Sequence, residues 1–251
     1  MTQHLFILTG ASRGMGLAMA RQLLQPSNTL LCISRSTNET LAAQAKQAGV
    51  QLLQWTQDLA LGARTSARLE QWLREQTAST FSTATLINNA GIVPRIAPLS
   101  EADADDLSHA LRVGLEAPMQ LSSAFLRATT NWPGLRKVLN ISSGLGRRAM
   151  ASQSAYCAAK AGMDHFTRCM ALDEALKTNG AKVCSLAPGV IDTGMQDQLR
   201  AADANAFPDL ASFLSLKNNG ALATPQEAAK SVLAFLMRPD FGAQVVADVR
   251  G

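Results

Sequence analysis

The fold follows from the stretch Thr9-Gly10-Ala11-Ser12-Arg13-Gly14-Met15-Gly16 near the start of the chain. An apolar run, Leu5–Thr9, leads into it and predicts a β-strand, and an amphipathic segment, Gly16–Gln25, follows and predicts a helix. Glycines in a strand-to-helix turn permit a tight bend and let backbone N–H groups approach a pyrophosphate at the positive end of the helix. The stretch therefore predicts a dinucleotide-binding turn, and the alternative is a glycine-rich turn that binds nothing.

Short apolar runs alternate with helical stretches along the rest of the chain. The predicted strands are Leu5–Thr9, Leu30–Ser34, Gln51–Trp55, Thr85–Asn88, Lys137–Ile141, Lys182–Leu186 and Gln244–Ala247. The predicted helices are Gly16–Gln25, Thr40–Ala48, Thr65–Gln76, Ala102–Thr129, Ala155–Lys177 and Pro225–Met237. Because each strand is apolar almost throughout, we expect helices to cover both of its faces, as in βαβ units around a parallel sheet.

The composition disfavours several classes of protein. With 251 residues, 47% of them hydrophobic, the chain can form one large α/β domain or two small ones. Its net charge of +4 comes from dispersed basic residues, so we expect no nucleic-acid partner. The apolar run at the N-terminus is far shorter than the roughly 20 residues of a membrane span, so we expect no membrane association and no secretion. The scattered cysteines disfavour disulfides and a metal site and favour a cytoplasmic location: Cys32, Cys157, Cys169 and Cys184.

The glycine stretch also matches the nucleophile elbow of a different enzyme class, because Gly10-Ala11-Ser12-Arg13-Gly14 fits the G-x-S-x-G pattern of α/β-hydrolases. In a serine hydrolase, part of the oxyanion hole comes from a loop upstream of the elbow, and only one predicted strand precedes Ser12. The downstream His109 and His165 fall in predicted helices instead of a loop after a late strand. These features disfavour a hydrolase that uses Ser12.

The end of the second predicted strand indicates which dinucleotide would bind. An acidic residue there accepts hydrogen bonds from a free ribose 2′-hydroxyl, whereas this chain has Ser34-Arg35-Ser36 and no carboxylate before Glu39. Arg35 can pair with a 2′-phosphate, and Arg13 of the glycine stretch can approach the same group from the other side. This placement predicts NADP(H) over NAD(H). The alternative is that both arginines are merely solvated.

Tyr156 is the only tyrosine of the chain, and Lys160 follows it by one helical turn on the same face. A phenol of pKa about 10 is a poor acid–base catalyst at neutral pH unless a nearby cation stabilises the phenolate. Ser142 and Ser143 follow the predicted strand Lys137–Ile141, so a hydroxyl is expected at the carboxyl edge of the sheet, where α/β ligands bind. Without this context, a Tyr-x-x-x-Lys pair is more often an ordinary pair on a surface helix.

Five motifs, in this order, resemble the short-chain dehydrogenase/reductase family over nearly the whole chain. They are the glycine loop Thr9–Gly16, Asn88-Asn89-Ala90-Gly91, Ser143, the pair Tyr156 and Lys160, and Pro188-Gly189-Val190-Ile191-Asp192-Thr193. The resemblance implies a single α/β domain over residues 1–251. That domain would be a Rossmann fold, with a doubly wound seven-stranded parallel sheet and helices on both faces.

The resemblance also implies roles for individual residues. Ser143 would orient a carbonyl group, Tyr156 would donate the proton in the reductive direction, and Lys160 would lower the tyrosine pKa and hold the nicotinamide ribose. Asp58 would face the adenine. The implied NADP(H) contacts, with Val190 and Thr193 at the carboxamide, are Gly10, Ser12, Arg13, Gly14, Met15, Gly16, Ser34, Arg35, Asp58, Leu59, Asn89, Ala90, Gly91, Tyr156, Lys160, Pro188, Gly189, Val190 and Thr193.

One position departs from the family pattern. The family usually carries an asparagine in the helix before the fifth strand, where it relays protons through water to the lysine, and this chain has Gly114 there. A glycine has no side chain to hold the water, although its backbone carbonyl can still accept a hydrogen bond. This departure keeps open a second hypothesis, a non-catalytic sensor or regulatory protein that binds NADP(H).

Ser34-Arg35 and the segment from Pro188 to Gln196 are similar to the branch of the family that contains sepiapterin and benzil reductases. Those relatives reduce vicinal dicarbonyls with NADPH, so the likeness implies a small-molecule carbonyl substrate. Asp192 would anchor an amino-pterin ring or, alternatively, would cap the next helix. The implied substrate contacts are Ser143, Leu145, Met150, Tyr156, Asp192, Met195 and Leu199.

Two expectations concern the lid and the assembly. Residues 189–220 carry Gly, Pro and Asn around short helical pieces and predict a mobile substrate lid. Members of the family assemble through two long helices, here Ala102–Thr129 and Ala155–Lys177. The resemblance therefore implies a homodimer or a homotetramer.

Overall fold

A computed structural model describes residues 3–251 of the protein. Its strands are β1 Gln3–Thr9, β2 Asn28–Ser34, β3 Gln51–Thr56, β4 Phe81–Asn88, β5 Leu135–Ile141, β6 Lys182–Ala187 and β7 Val246–Asp248. Its α-helices are α1 Gly14–Gln22, α2 Glu39–Ala48, α3 Gly62–Arg74, α4 Ala104–Leu111, α5 Ala117–Ala128, α6 Ser154–Ala175, α7 Gly194–Arg200, α8 Leu210–Asn218 and α9 Pro225–Leu236.

The strands form one parallel sheet of seven strands in the order β3-β2-β1-β4-β5-β6-β7. The order reverses between β1 and β4, and a crevice opens outside the carboxyl ends of strands at such a switch point. The predicted Rossmann fold is therefore confirmed, and the switch point is where a ligand is expected.

Helices cover both faces of the sheet. Leu30 and Leu31 are neighbours in β2, yet they point to opposite faces and are both fully buried. Leu30 packs in a core with residues of α1 and α9, and Leu31 packs in a second core with residues of α3, α5 and α6. Burial on both faces explains why the strands are apolar almost throughout.

The long predicted helix Ala102–Thr129 is divided in the structure. Helices α4 and α5 are joined by a turn of π-helix, Arg112–Glu116, whose hydrogen bonds reach one residue further than those of an α-helix. Apolar periodicity does not detect such a turn, because the chain continues in the same direction with the same mean spacing. Short π-helical turns often mark functional sites, and this one contains Gly114.

The predicted lid, residues 189–220, contains helices α7 and α8 and a small apolar cluster of its own. Leu199, Phe207 and Phe213 form the cluster, and the partly buried Met150 packs against it.

Elsewhere, the predicted helices and strands are found, but their ends are shifted. Strand β4, for example, begins at Phe81 instead of Thr85, because polar residues interrupt its apolar pattern. Within residues 3–251, no helix is both long enough and apolar enough to span a bilayer.

Candidate active site

A cleft of about 1200 Å³ opens at the carboxyl edge of the sheet, over the switch point between β1 and β4. Every site residue predicted from the sequence lines this cleft, with the exception of Asp192. The cleft thus brings together residues that are far apart in the chain, from the glycine loop to the lid. Residues 3–251 include no group of three His, Cys, Asp or Glu side chains that could hold a metal ion.

The glycine loop has the geometry of a nucleotide cradle. Gly10 and Gly14 have positive φ angles, of 69° and 55°, which side chains other than glycine rarely adopt. A Cβ on Gly16 would overlap the carbonyl oxygen of Gly10, so the loop can close only with glycine there. Helix α1 starts at Gly14, and its N-cap residue Arg13 provides no side-chain acceptor for the first-turn N–H groups. These donors and the open loop fit the pyrophosphate of a dinucleotide.

Hydrogen bonds between β1 and β4 hold the glycine loop in place. The Asn89 amide donates to the carbonyl oxygens of Thr9 and Gly10, at 3.0 and 3.3 Å. The Thr9 hydroxyl accepts from the backbone N–H groups of Asn89 and Ala90, both at 3.0 Å. Asn89 and Ala90 were predicted as cofactor contacts, and their contacts here show how they also position the loop. Thr9 is the first residue of the glycine stretch, but it was not predicted as a site residue.

The adenosine end of the cleft contains basic side chains and no acidic residue at the end of β2. Arg13 and Arg35 both line the cleft and are exposed to solvent. The buried Ser34 hydroxyl has no hydrogen-bond partner within the described part of the chain, so it is available to a ligand. Asn38 caps α2 by accepting from the N–H of Leu41 and donates to the carbonyl oxygen of Ser12, which ties the start of α2 to the glycine loop.

Ser143, Tyr156 and Lys160 meet at the other end of the cleft. Ser143 follows β5, where its hydroxyl accepts a hydrogen bond from the N–H of Leu145 at 3.2 Å. Tyr156 lies in the first turn of α6 and Lys160 in the next, with the Lys160 Nζ 5.8 Å from the centre of the tyrosine ring. The Lys160 ammonium donates to the carbonyl oxygen of Ile141 at 2.7 Å, which anchors α6 to the end of β5.

Burial acts on the two titratable groups in opposite ways. It raises the pKa of Tyr156 above its usual value, and the Ser143 hydroxyl opposes this rise by hydrogen bonding. Burial lowers the pKa of Lys160 to about 8, against the opposing charge of Asp164. Because a protonated Lys160 next to the ring stabilises a phenolate, the pair has the arrangement needed to release and recover a proton.

The lowered pKa of Lys160 has a consequence for stability. Its pKa is about 8 in the folded protein against an ordinary value of 10.5, so between these values the unfolded chain binds more protons. The unfolding free energy of the wild type, measured relative to Lys160→Met, should therefore rise with pH. From pH 7.5 to 9.5 we expect a rise of about 1–2 kcal/mol in denaturant titrations. Identical pH dependence in the two proteins would contradict the lowered pKa.

Two buried hydrogen-bond networks hold α6 and were not predicted. In the first, the Asp164 carboxylate accepts from Arg147 Nε at 3.0 Å and from the Ser185 hydroxyl at 2.6 Å. Arg147 also donates to the carbonyl oxygen of Ala247 in β7 at 2.8 Å. Asp164 lies one helical turn after Lys160. This spacing between an acid and the lysine was the only feature of the sequence that pointed to the network.

The second network joins α6 to the centre of the sheet. The Asn88 amide donates to the Asn140 side chain in β5 at 2.8 Å. The Asn140 amide in turn donates to the Thr167 hydroxyl at 2.8 Å, and Thr167 donates to the carbonyl oxygen of Met163. These buried polar contacts fix the position of the helix that carries Tyr156 and Lys160.

Gly114 lies in the π-helical turn and packs against α6. A Cβ at this position would lie 3.1 Å from the Cβ of Ala159, the residue before Lys160. The two helices are thus so close that a side chain on residue 114 requires its neighbour to shift. Gly114, which replaces the usual asparagine of the family, therefore allows the π-helical turn to pack closely against α6 beside Lys160.

Apolar side chains from the lid and from the segment after β5 line the cleft that also contains Ser143, Tyr156 and Lys160. They are Met195 and Leu199 of the lid and Leu145 and Met150 after β5, which are the residues predicted for a substrate pocket. A Cβ on Gly91 would lie 3.8 Å from Lys160 Nζ and 3.6 Å from Met195 Cε, so the lid methionine reaches close to the lysine.

Asp192 is placed differently from both sequence-based interpretations. Its carboxylate pairs with Arg200 of α7 and Lys217 of α8, and it does not line the cleft. It does not cap α7 either, because the N-cap residue is Thr193 and no side chain caps the helix. Lys217 lies 25 residues further along the chain, so this pairing could not be predicted from local sequence. Asp192 connects the two lid helices.

The Ser12 hydrolase alternative finds no support in the geometry. His109 lines the cleft from α4, and His165 is exposed on α6. Among residues 3–251, the histidine side-chain hydrogen bonds are those of His4 with Thr83 and Ser82, so no histidine activates Ser12. Ser12 belongs to the nucleotide cradle and not to a nucleophile elbow.

A Rossmann sheet, a glycine cradle at its switch point and a Ser, Tyr and Lys group in the same cleft define a dinucleotide-binding oxidoreductase. The sequence profile described as short chain dehydrogenase matches residues 4–204. The chain belongs to the short-chain dehydrogenase/reductase family, an oxidoreductase family that binds nicotinamide cofactors. The membership and the oxidoreductase class predicted from the motifs are confirmed, and the hydrolase alternative is wrong.

Individual relatives agree with the predicted branch. The chain is 35% identical to a benzil reductase ((S)-benzoin forming) of Bacillus cereus over 94% of both chains. It is 32% identical to the sepiapterin reductase of Rattus norvegicus, over 94% of this chain and 92% of the relative. A solved short-chain dehydrogenase/reductase from Burkholderia vietnamiensis is 34% identical and superposes with a TM-score of 0.66 over 99% of both chains.

Proposed function

We propose that this protein is an NADPH-dependent carbonyl reductase, which reduces a ketone or a vicinal dicarbonyl of a small molecule to an alcohol. The observation that carries the proposal is the cleft itself. At one end, Tyr156 and Lys160 lie beside Ser143, and at the other end, Arg35 stands where an acid would favour NAD(H), with Arg13 of the glycine loop lining the same cleft. The relatives named benzil reductase and sepiapterin reductase support a carbonyl substrate.

The bound nicotinamide cofactor would supply the hydride. The Ser143 hydroxyl hydrogen-bonds the substrate carbonyl oxygen and orients it. Tyr156 donates its phenolic proton to the same oxygen as the alcohol forms. Lys160, held by Ile141 and charged near neutral pH, stabilises the resulting phenolate and favours this transfer.

The residues along the cleft would hold NADPH. The glycine loop and the first turn of α1 would receive the pyrophosphate, and Arg13 and Arg35 would pair with the 2′-phosphate. Asp58 and Leu59 would stand near the adenine. Thr193 lies across from the loop, since a Cβ on Gly14 would be 3.7 Å from its methyl group. The remaining proposed contacts are Ser34, Asn89, Ala90, Gly91, Pro188, Gly189 and Val190.

The test is oxidation of NADPH and NADH, in parallel, by the purified protein with aromatic 1,2-diketones, sepiapterin and simple ketones. Turnover that prefers NADPH supports the reductase. The glycine at position 114, packed against Ala159, favours the second candidate, a sensor that binds NADP(H) without turnover, because no side chain there can hold a relay water. Tight NADPH binding without turnover of any carbonyl would support that candidate. Turnover would instead mean that a side chain at position 114 is not required.

We also propose that the chain is a single domain and forms a homodimer or homotetramer in the cytoplasm. Leu172 and Leu176, at the end of α6 and just after it, are 71% and 88% exposed, and a partner helix would cover them. Light scattering at micromolar concentration measures the mass directly, and a monomer alone would contradict the assembly.

A further inference from the structure

One buried amide in the cleft has no hydrogen-bond partner. Gln153 is 1% exposed and lines the cleft, and its Nε2 makes no hydrogen bond with any residue from 3 to 251. Buried polar groups in folded proteins are nearly always hydrogen-bonded, and an exception that faces a cleft can be satisfied by water or by a bound ligand. The Gln153 amide is therefore a candidate contact for a ligand.

The position of Gln153 associates this contact with the reacting group and not with the adenosine end. Gln153 is the N-cap residue of α6 and precedes Tyr156 by three residues. Met150, three residues before Gln153, packs against the apolar cluster of the lid. The unpartnered N–H group thus belongs to the short stretch of chain that carries both Tyr156 and a residue packed against the lid.

The chemistry of the orphaned atom limits what can pair with it. An amide Nε2 can only donate, so its partner must carry an acceptor oxygen. Three other buried cleft atoms lack partners, and they differ in chemistry: Gln196 Oε1 can only accept, and the hydroxyls of Ser34 and Ser142 can do either. A dicarbonyl offers acceptors and no donor, so among the two amide atoms only Gln153 Nε2 matches it.

We propose that Gln153 Nε2 hydrogen-bonds the second oxygen of the substrate, on the carbon next to the carbonyl that reacts at Tyr156. Gln153 is then the residue that selects vicinal dicarbonyls over simple ketones, an inference that rests on the proposed reductase function. A simple ketone leaves the buried donor unpaired, whereas a vicinal dicarbonyl satisfies it. Sites that hydrogen-bond a substrate group discriminate strongly against analogues that lack it.

The test compares 1-phenylpropane-1,2-dione with 1-phenylpropan-1-one, which lacks only the second oxygen. Gln153→Met keeps the length of the side chain and removes the donor. We expect kcat/KM for the diketone to fall about 10- to 100-fold, mainly through KM, because one buried hydrogen bond is lost. For the monoketone, kcat/KM should stay the same or rise. An equal loss on both substrates would overturn the inference.

Two further variants test whether the loss of the amide donor, and not a general disturbance of the protein, changes the substrate preference. Gln153→Glu has the same shape, and at a pH high enough to ionise a buried carboxyl it has no donor, so under that condition it should lose the diketone preference as Gln153→Met does. Gln44→Met makes the same amide-to-thioether change on an exposed residue of α2 that does not line the cleft, and it should leave the preference intact. A loss of preference in Gln44→Met equal to that in Gln153→Met would overturn the assignment.

A binding measurement distinguishes this inference from the proposed function. With NADP⁺ present no reduction can occur, so calorimetry gives the dissociation constants of both ketones for wild type and Gln153→Met. If Gln153→Met weakens binding of the diketone alone by tenfold or more, the result supports the role of Gln153. It does so even if the wild type shows no turnover, because that outcome would contradict only the reductase function. Turnover without a Gln153-dependent preference would overturn the inference and leave the reductase standing. Failure of the wild type to bind the diketone would overturn the inference.

Discussion

Tyr156→Phe should lower kcat/KM for carbonyl reduction by about 10³-fold, since a positioned general acid contributes roughly 10²–10⁴-fold. The substitution removes the phenolic O–H and little volume, so the Ser143 and Lys160 contacts with the protein backbone are expected to persist. Burial raises the pKa of Tyr156, which keeps the phenol protonated in the free enzyme and ready to donate. NADPH binding, followed by fluorescence, should change by less than about twofold.

A second titratable side chain provides the control for this experiment. His109 also lines the cleft, from α4, and could in principle donate a proton to a substrate. His109→Gln keeps the length and polarity of that side chain and should retain turnover. If Tyr156→Phe stayed active and His109→Gln did not, the proton donor would be His109 and the assigned role of Tyr156 would be wrong.

Motifs that depend on neighbouring residues could be predicted from the sequence. The glycine loop requires only a strand, a tight turn and a helix in succession, and the pairing of Tyr156 with Lys160 requires only one helical turn. The end of β2 is equally local, so the position of Arg35 at the cleft followed from the strand prediction. These features define most of the glycine loop and the residue proposed as the proton donor.

Features that depend on tertiary register could not be predicted. Asn88 and Asn140 are 52 residues apart, and they meet because β4 and β5 pair in a register that sets these two residues side by side. The hydrogen bond from Ser185 to Asp164 likewise requires β6 to lie under α6. The π-helical turn at Gly114 leaves the apolar periodicity of the segment unchanged, so the sequence predicted one continuous helix.

Arg35→Asp should exchange the nucleotide preference of the protein. The exposed guanidinium at the end of β2 is proposed to pair with the 2′-phosphate, and a hydrogen bond to a charged group contributes roughly 1.5–3 kcal/mol. Its loss, together with repulsion between the new carboxylate and the phosphate, should weaken NADPH binding by about 100-fold or more. NADH binding should be unchanged or tighter, because an aspartate at this position can accept hydrogen bonds from the free 2′-hydroxyl.

Fluorescence titrations with both nucleotides measure this change, and a charge-matched variant makes the result specific. Arg64→Asp makes the same change in net charge at an exposed position near the start of α3, away from the cleft, where an acid is compatible with the helix dipole. It should leave both affinities within about twofold, because exposed charges separated by more than roughly 10 Å are largely screened at 0.1 M salt. Equal losses for NADPH and NADH in Arg35→Asp would mean that Arg35 does not contact the 2′-phosphate. Arg13 would then be the remaining cation at that corner of the cleft to account for a preference for NADPH.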